Sequence, residues 1–132
     1  MSPTAIQRIS RALMSALFLV AGIRKLIAWN GTVAYFGSSG LPLAELVVPL
    51  VVLLEIGGAV ALIAGWRLRE LSIVLAFYSV ATALIAHRFW NVEPTQFNGQ
   101  LNNFFKNFAI AGGFFLLWSQ NRREEDNRSV AA

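Results

Sequence analysis

Four stretches of the chain lack polar alternation and are long enough to read as buried or lipid-facing helices: Ser10–Trp29, Leu43–Gly65, Leu71–His87 and Leu101–Trp118. A helix needs about 20 mainly apolar residues to cross the hydrocarbon core of a bilayer. The first stretch follows Arg8 and Arg11, as a signal peptide could, but no small-residue cleavage site follows it and three more apolar runs come after. The second opens behind Pro42, a permitted helix start, and closes on Gly65. The third is about the minimum spanning length. The fourth is the weakest, because Asn102, Asn103, Lys106 and Asn107 make its first turns polar. The pattern predicts an all-α membrane protein, a four-transmembrane-helix bundle over residues 1–119, followed by a charged, solvated and mobile cytoplasmic tail over 120–132.

Charge gives this arrangement a direction. Arg8 and Arg11 precede the first run, Arg67 and Arg69 lie between the second and third, and Arg122, Arg123 and Arg128 follow the fourth. The other two connections, Asn30–Leu41 and Arg88–Gln100, hold only Arg88 and Glu93 between them. Arg and Lys collect in cytoplasmic connections, so both chain ends are expected in the cytoplasm. Trp29, Trp66, Trp90 and Trp118 all fall at run ends, the headgroup level that an amphipathic ring prefers.

Composition narrows the chemistry. Hydrophobic residues make up 56% and charged residues 14% of 132, against about a quarter charged in soluble domains. The net charge of +4 comes from residues at run ends and forms no stripe, which argues against nucleic-acid binding. With no cysteine, the chain can build no disulfide, thiol relay or iron–sulfur cluster. One histidine, His87, argues against a metal centre, and no metal ligand set is assigned.

Helices in lipid associate through small residues that allow close approach. Gly57, Ala61 and Gly65 repeat every four residues, and Ala109, Gly112 and Gly113 offer a second small-residue surface. These positions are expected to pack helices.

The ionisable residues inside the runs are the candidates for function, since such groups are costly in lipid. Glu55 lies roughly 20 Å of helix rise from the start of its run and needs a partner or a proton. Lys25 is the best candidate. Helical side chains lean toward the amino end, which brings Lys25 and Glu55 toward one another, and direct or water-bridged pairing is expected. Arg24 points about 100° away and is expected to snorkel. Glu45 reads as interfacial. His87, Lys106 and Asn107 add polarity at the same outer level, either as a pocket for a small polar headgroup or as a network fixing the packing.

At these residues the chain resembles the DoxX family of small four-span bacterial membrane proteins, from about Arg11 to Leu117. The resemblance is carried by AGIRKL, LEIGG followed by an AG pair, AHRFW and FFKNFAIAGGFFLL. Residue by residue it covers Gly22 and Lys25, then Glu55, Gly57, Gly58 and Gly65, then His87, and finally Lys106, Asn107, Gly112 and Gly113. It implies a multi-pass bacterial inner-membrane protein with a loose link to redox metabolism, the family name coming from a subunit of a thiosulfate:quinone oxidoreductase. The lack of cysteine leaves no thiol in the chain for sulfur transfer.

Three readings follow. In the first, a redox-associated subunit binds quinone or a small oxidant at Lys25, Glu55, His87, Lys106 and Asn107. Glu55 or His87 is its candidate catalytic proton carrier, no cofactor is built in, and a partner protein supplies electrons; any enzyme activity would be that of a quinone-linked oxidoreductase. In the second the chain is a small-solute transporter, although the wholly apolar segment Gly57–Gly65 counts against a through-path. In the third it is a scaffold or assembly component whose charges specify packing. Lipid is a partner in each, and a second copy of the chain is a further candidate.

Overall fold

The computed structural model describes residues 3–131, so Met1, Ser2 and Ala132, the extremities of the expected domain and tail, lie outside the described residues. All regular structure among the described residues is helical: α1 (Pro3–Ile27), α2 (Trp29–Ser38), α3 (Ala44–Ala64), α4 (Leu68–Ala86), a 3₁₀ turn (Phe89–Asn91) and α5 (Pro94–Ala131). The chain divides into two compact units, residues 1–66 and 67–132.

In the first unit α1 packs on α3. Arg11, Ser15, Phe18, Gly22 and Lys25 recur every three or four residues along α1, one face of a helix, and all are buried or half-buried. The buried positions of α3 are Val48, Val52, Glu55, Gly58, Ala59 and Leu62. Two contacts fix the direction of the pair. A β carbon on Gly22 would lie 2.6 Å from Ile56 Cγ1, and one on Gly65 would lie 2.6 Å from Arg11 Nη1, so the helices run antiparallel.

Gly65 ends α3 with φ +77, a left-handed conformation in which the Trp66 N–H reaches the Ala61 carbonyl at 3.0 Å. Glycine adopts it at no steric cost. Its missing side chain also leaves room for the Arg11 guanidinium, whose Nε is buried without a hydrogen-bond partner.

The small-residue seam expected through Gly57 is arranged otherwise. Gly57 is exposed, and its nearest contact is Leu53 Cδ1 of its own helix at 4.0 Å. Gly57 lies two residues from Glu55, about 200° around the helix, so burying the carboxylate turns Gly57 outward. Gly58, three residues from Glu55, is buried instead, while Gly112 is exposed with open space around it and Gly113 is half-buried.

The uncharged connection 30–41 is mostly the helix α2. The backbone bends at Ala28 (φ −96, ψ 42), yet its N–H still reaches the Arg24 carbonyl at 3.0 Å, and its carbonyl accepts from both the N–H and the hydroxyl of Thr32, at 2.9 and 3.0 Å. Gly40 (φ +83) and Leu43 (φ 55) then turn the chain into α3.

In the second unit α4 packs on α5. Ser72, Leu75, Ala76, Ser79 and Ala83 are buried on α4, and Ala111, Phe114 and Leu117 on α5. Phe77 meets Phe115 edge to face at 5.9 Å. The Ser79 hydroxyl donates to the Leu75 carbonyl at 2.8 Å, so its burial leaves no unpaired donor.

α5 starts at Pro94, where a proline suits the first helical position, and continues to Ala131, so the described part of the expected tail is helical, with Arg122, Arg123 and Arg128 exposed. Ion pairing between Arg122 and Asp126, four residues apart at 3.9 Å, suits helix there. Three helical segments, Thr4–Ile27, Ala44–Ala64 and Leu68–Asn91, are long and apolar enough to cross a membrane.

Gly65→Ala combines a left-handed backbone with a steric conflict at Arg11, and is expected to cost about 1 to 3 kcal/mol. Gly57→Ala meets only an ordinary contact with Leu53 Cδ1 of its own helix and should range from neutral to about 1 kcal/mol more stable than wild type. Thermal unfolding of the two variants in one detergent checks the contrast.

Candidate functional site

Lys25 closes the buried face of α1, and Glu55 occupies the centre of the buried face of α3. The antiparallel pairing of the two helices brings them together. Lys25 Nζ donates to Glu55 Oε1 and Oε2, both at 2.8 Å, with the lysine side chain 24% and the glutamate side chain 4% exposed. The expected pairing is therefore direct. Charge-assisted bonds of this length are among the stronger hydrogen bonds, and low surrounding dielectric reinforces them.

The neighbouring residues set the geometry. Gly22, one helical turn before Lys25, lies so close to α3 that a β carbon would sit 3.1 Å from Glu55 Cβ. That close approach brings the lysine within reach of the carboxylate. On the other side, the Thr32 hydroxyl of α2 reaches toward the Lys25 carbonyl at 3.4 Å. Arg24 and Glu45 are exposed.

The remaining candidates belong to the second unit. His87 caps the carboxyl end of α4 and is half-buried, with Nδ1 2.8 Å from Gln100 Oε1 of α5. Lys106 is exposed. Asn107 is half-buried and donates from Nδ2 to the Asn103 carbonyl of its own helix at 2.9 Å. The structure thus joins Lys25 to Glu55 and His87 to Gln100, while Asn107 is satisfied within α5. Among the described residues, no group of three or more histidine, aspartate or glutamate side chains could hold a metal ion.

Two participants escape a reading of the sequence by run and loop. Gln100 falls in a segment read as a connection, yet it shares a face of α5 with Phe97 and Phe104, three and four residues away. Arg11 reads as a topology determinant, but its spacing of 14 from Lys25, two heptads, already places both on one face.

Comparison with known proteins now adds to the geometry. A model of the DoxX family matches residues 6–88, more than half of the chain and including Lys25, Glu55 and His87. The chain belongs to the DoxX family. Two relatives from Escherichia coli (strain K12) are similar over most of their length. Inner membrane protein YphA is 33% identical over 109 residues, 83% of this chain and 78% of the relative. Inner membrane protein YqjF is 35% identical over 111 residues, with the same 83% and 78% coverage. No solved structure matches. With spanning-length helices and these relatives, this DoxX protein is an integral inner-membrane protein. The family match ends at residue 88, before Gln100, Lys106 and Asn107.

Lys25→Met removes the ammonium from a carboxylate that is 4% exposed, and a broken buried pair typically costs about 3 to 5 kcal/mol. Glu55→Gln introduced together with Lys25→Met should recover at least half of that loss. A double-mutant cycle on unfolding in detergent measures the coupling, and simple additivity would show that the two side chains do not stabilise one another.

Proposed function

We propose that this DoxX protein is a four-span, redox-associated subunit of the inner membrane that binds a quinone or small oxidant at Lys25 and receives electrons from a partner protein. The observation that carries this reading is the state of the ammonium. Lysine has three N–H donors; two are directed at Glu55, and the side chain is 24% exposed, so one donor remains for a ligand. A donor with no acceptor capacity suits a carbonyl oxygen, and a positive charge there favours added negative charge on that oxygen. Glu55, hydrogen-bonded to the same ammonium, is placed to exchange a proton with it. A bound quinone would supply the redox chemistry that this cysteine-free chain lacks; Lys25 would orient its oxygen and Glu55 would tune the ammonium.

A scaffold reading has one observation in its favour. Both carboxylate oxygens are engaged by a single ammonium, the arrangement expected of a pair that only fixes helix packing. The paired substitution separates the two readings. Lys25→Met with Glu55→Gln, in protein that remains folded, should weaken binding of a short-chain quinone at least tenfold, as measured by equilibrium dialysis in nanodiscs. Unchanged binding, or no binding to wild type where a known quinone-binding membrane protein gives a signal, would leave the scaffold reading.

The fourth crossing in this reading is the apolar part of α5, and the arginines before α1, between α3 and α4, and after residue 120 support a cytoplasmic position for both ends. Alkaline phosphatase and green fluorescent protein fused in separate chains after Trp118 should report the cytoplasmic side. Phosphatase activity there would overturn the topology.

A further inference from the structure

His87 Nδ1 lies 2.8 Å from Gln100 Oε1, an oxygen that can only accept. With the amide oxygen toward the ring, the neutral tautomer that makes this bond carries its proton on Nδ1 and leaves a lone pair on Nε2. Nε2 has no hydrogen-bond partner among the described residues, and the ring is half-buried rather than enclosed. An isolated imidazole would not be held in this state. The interaction with Gln100 selects it, as a second hydrogen bond commonly selects a histidine tautomer.

Aromatic rings gather close to His87 along the chain and beside its partner Gln100 on α5, within the same unit. Gln100 lies on the stripe of α5 that includes Phe97 and Phe104, and two residues after His87 the Phe89 ring packs on both, at 5.9 and 5.2 Å between centroids. Trp90 adds a fourth ring, 5.1 Å from Phe89 and 5.8 Å from Phe104, and is 56% exposed. Trp90 and Phe97 are both exposed, which leaves apolar ring surface for a further planar group.

We infer that His87 Nε2 and the Phe89–Trp90–Phe104 cluster form a binding site for a small lipophilic ring bearing a hydroxyl group, with Gln100 as its positioning residue. The ligand hydroxyl donates to Nε2 and the ring rests on the aromatic cluster. A carbonyl in the same place would meet a lone pair with a lone pair, so the site favours a phenolic ring over its ether or its oxidised, carbonyl form. The inference uses only the second unit and stands whether or not Lys25 holds a quinone.

Because His87 is the only histidine, labelling the full-length protein with ¹⁵N-histidine reports on this ring alone. In nanodiscs, wild type should show a protonated Nδ1 and an unprotonated Nε2. Adding 4-butylphenol should shift the Nε2 resonance, whereas 4-butylanisole, which lacks the donor, should not. His87→Ala should raise the dissociation constant for 4-butylphenol about tenfold, the size expected of one lost hydrogen bond. Gln100→Leu should transfer the proton toward Nε2 and weaken phenol binding while leaving anisole partitioning unchanged. A wild-type ring protonated at Nε2, or equal shifts with phenol and anisole, would overturn the proposal; both readings come from wild type and do not depend on a variant folding.

Discussion

A carboxylate on the most apolar helix of the chain cannot remain alone, and much of the first unit follows from that constraint. Glu55 sits between Val52 and Ala59 on the buried face of α3, where isolated ionisation would be costly. The lysine that meets it must come from another helix at the same level, which sets the stagger of α1 against α3. Gly22 then has to lack a side chain, since any β carbon would force the two helices apart next to the ion pair. Farther along the same antiparallel seam, Arg11 reaches the left-handed turn at Gly65. A basic side chain close to a helix carboxyl end also suits the helix dipole.

The second unit handles polarity differently. Ser79, Thr82 and Asn107 return hydrogen bonds to carbonyls of their own helices, so they place little demand on a neighbour. Beside the buried Leu75, Ala76, Ala111 and Leu117, it has aromatic contacts between elements, from Phe77 on Phe115 to the rings gathered around Phe89. His87 is the exception, bound across the unit to Gln100.

The three most apolar helices were legible in the sequence because lipid demands long uninterrupted runs, and their bounds differ from the expected ones mainly at α1, which begins seven residues earlier. Pairing of Lys25 with Glu55 was legible too, from the cost of leaving either charge alone and from the lean of helical side chains. Small residues were a poorer guide. Gly57 and Gly65 share a spacing typical of helix seams, but that spacing does not reveal which side of α3 the buried carboxylate claims. α2 was not visible because the segment was read as a connection whose one signal was the absence of arginine, and its two glycines weaken any helical pattern. Helix in the tail was likewise obscured, since a segment rich in both signs of charge satisfies criteria for a solvated end whether or not it is helical. Gln100 could be found only by treating residues 94–108 as helix rather than connection.

The uninterrupted length of α5 has a mechanical consequence. Its 38 residues correspond to roughly 57 Å of rise, well beyond the 30 Å hydrocarbon thickness. A segment of this kind works as a stiff spar: whatever is attached near Ala131 inherits a definite azimuth from the helix, advancing about 100° with every residue added. Inserting two residues after Gln120 would swing an attached domain to nearly the opposite side, whereas inserting seven would return it almost to its starting bearing.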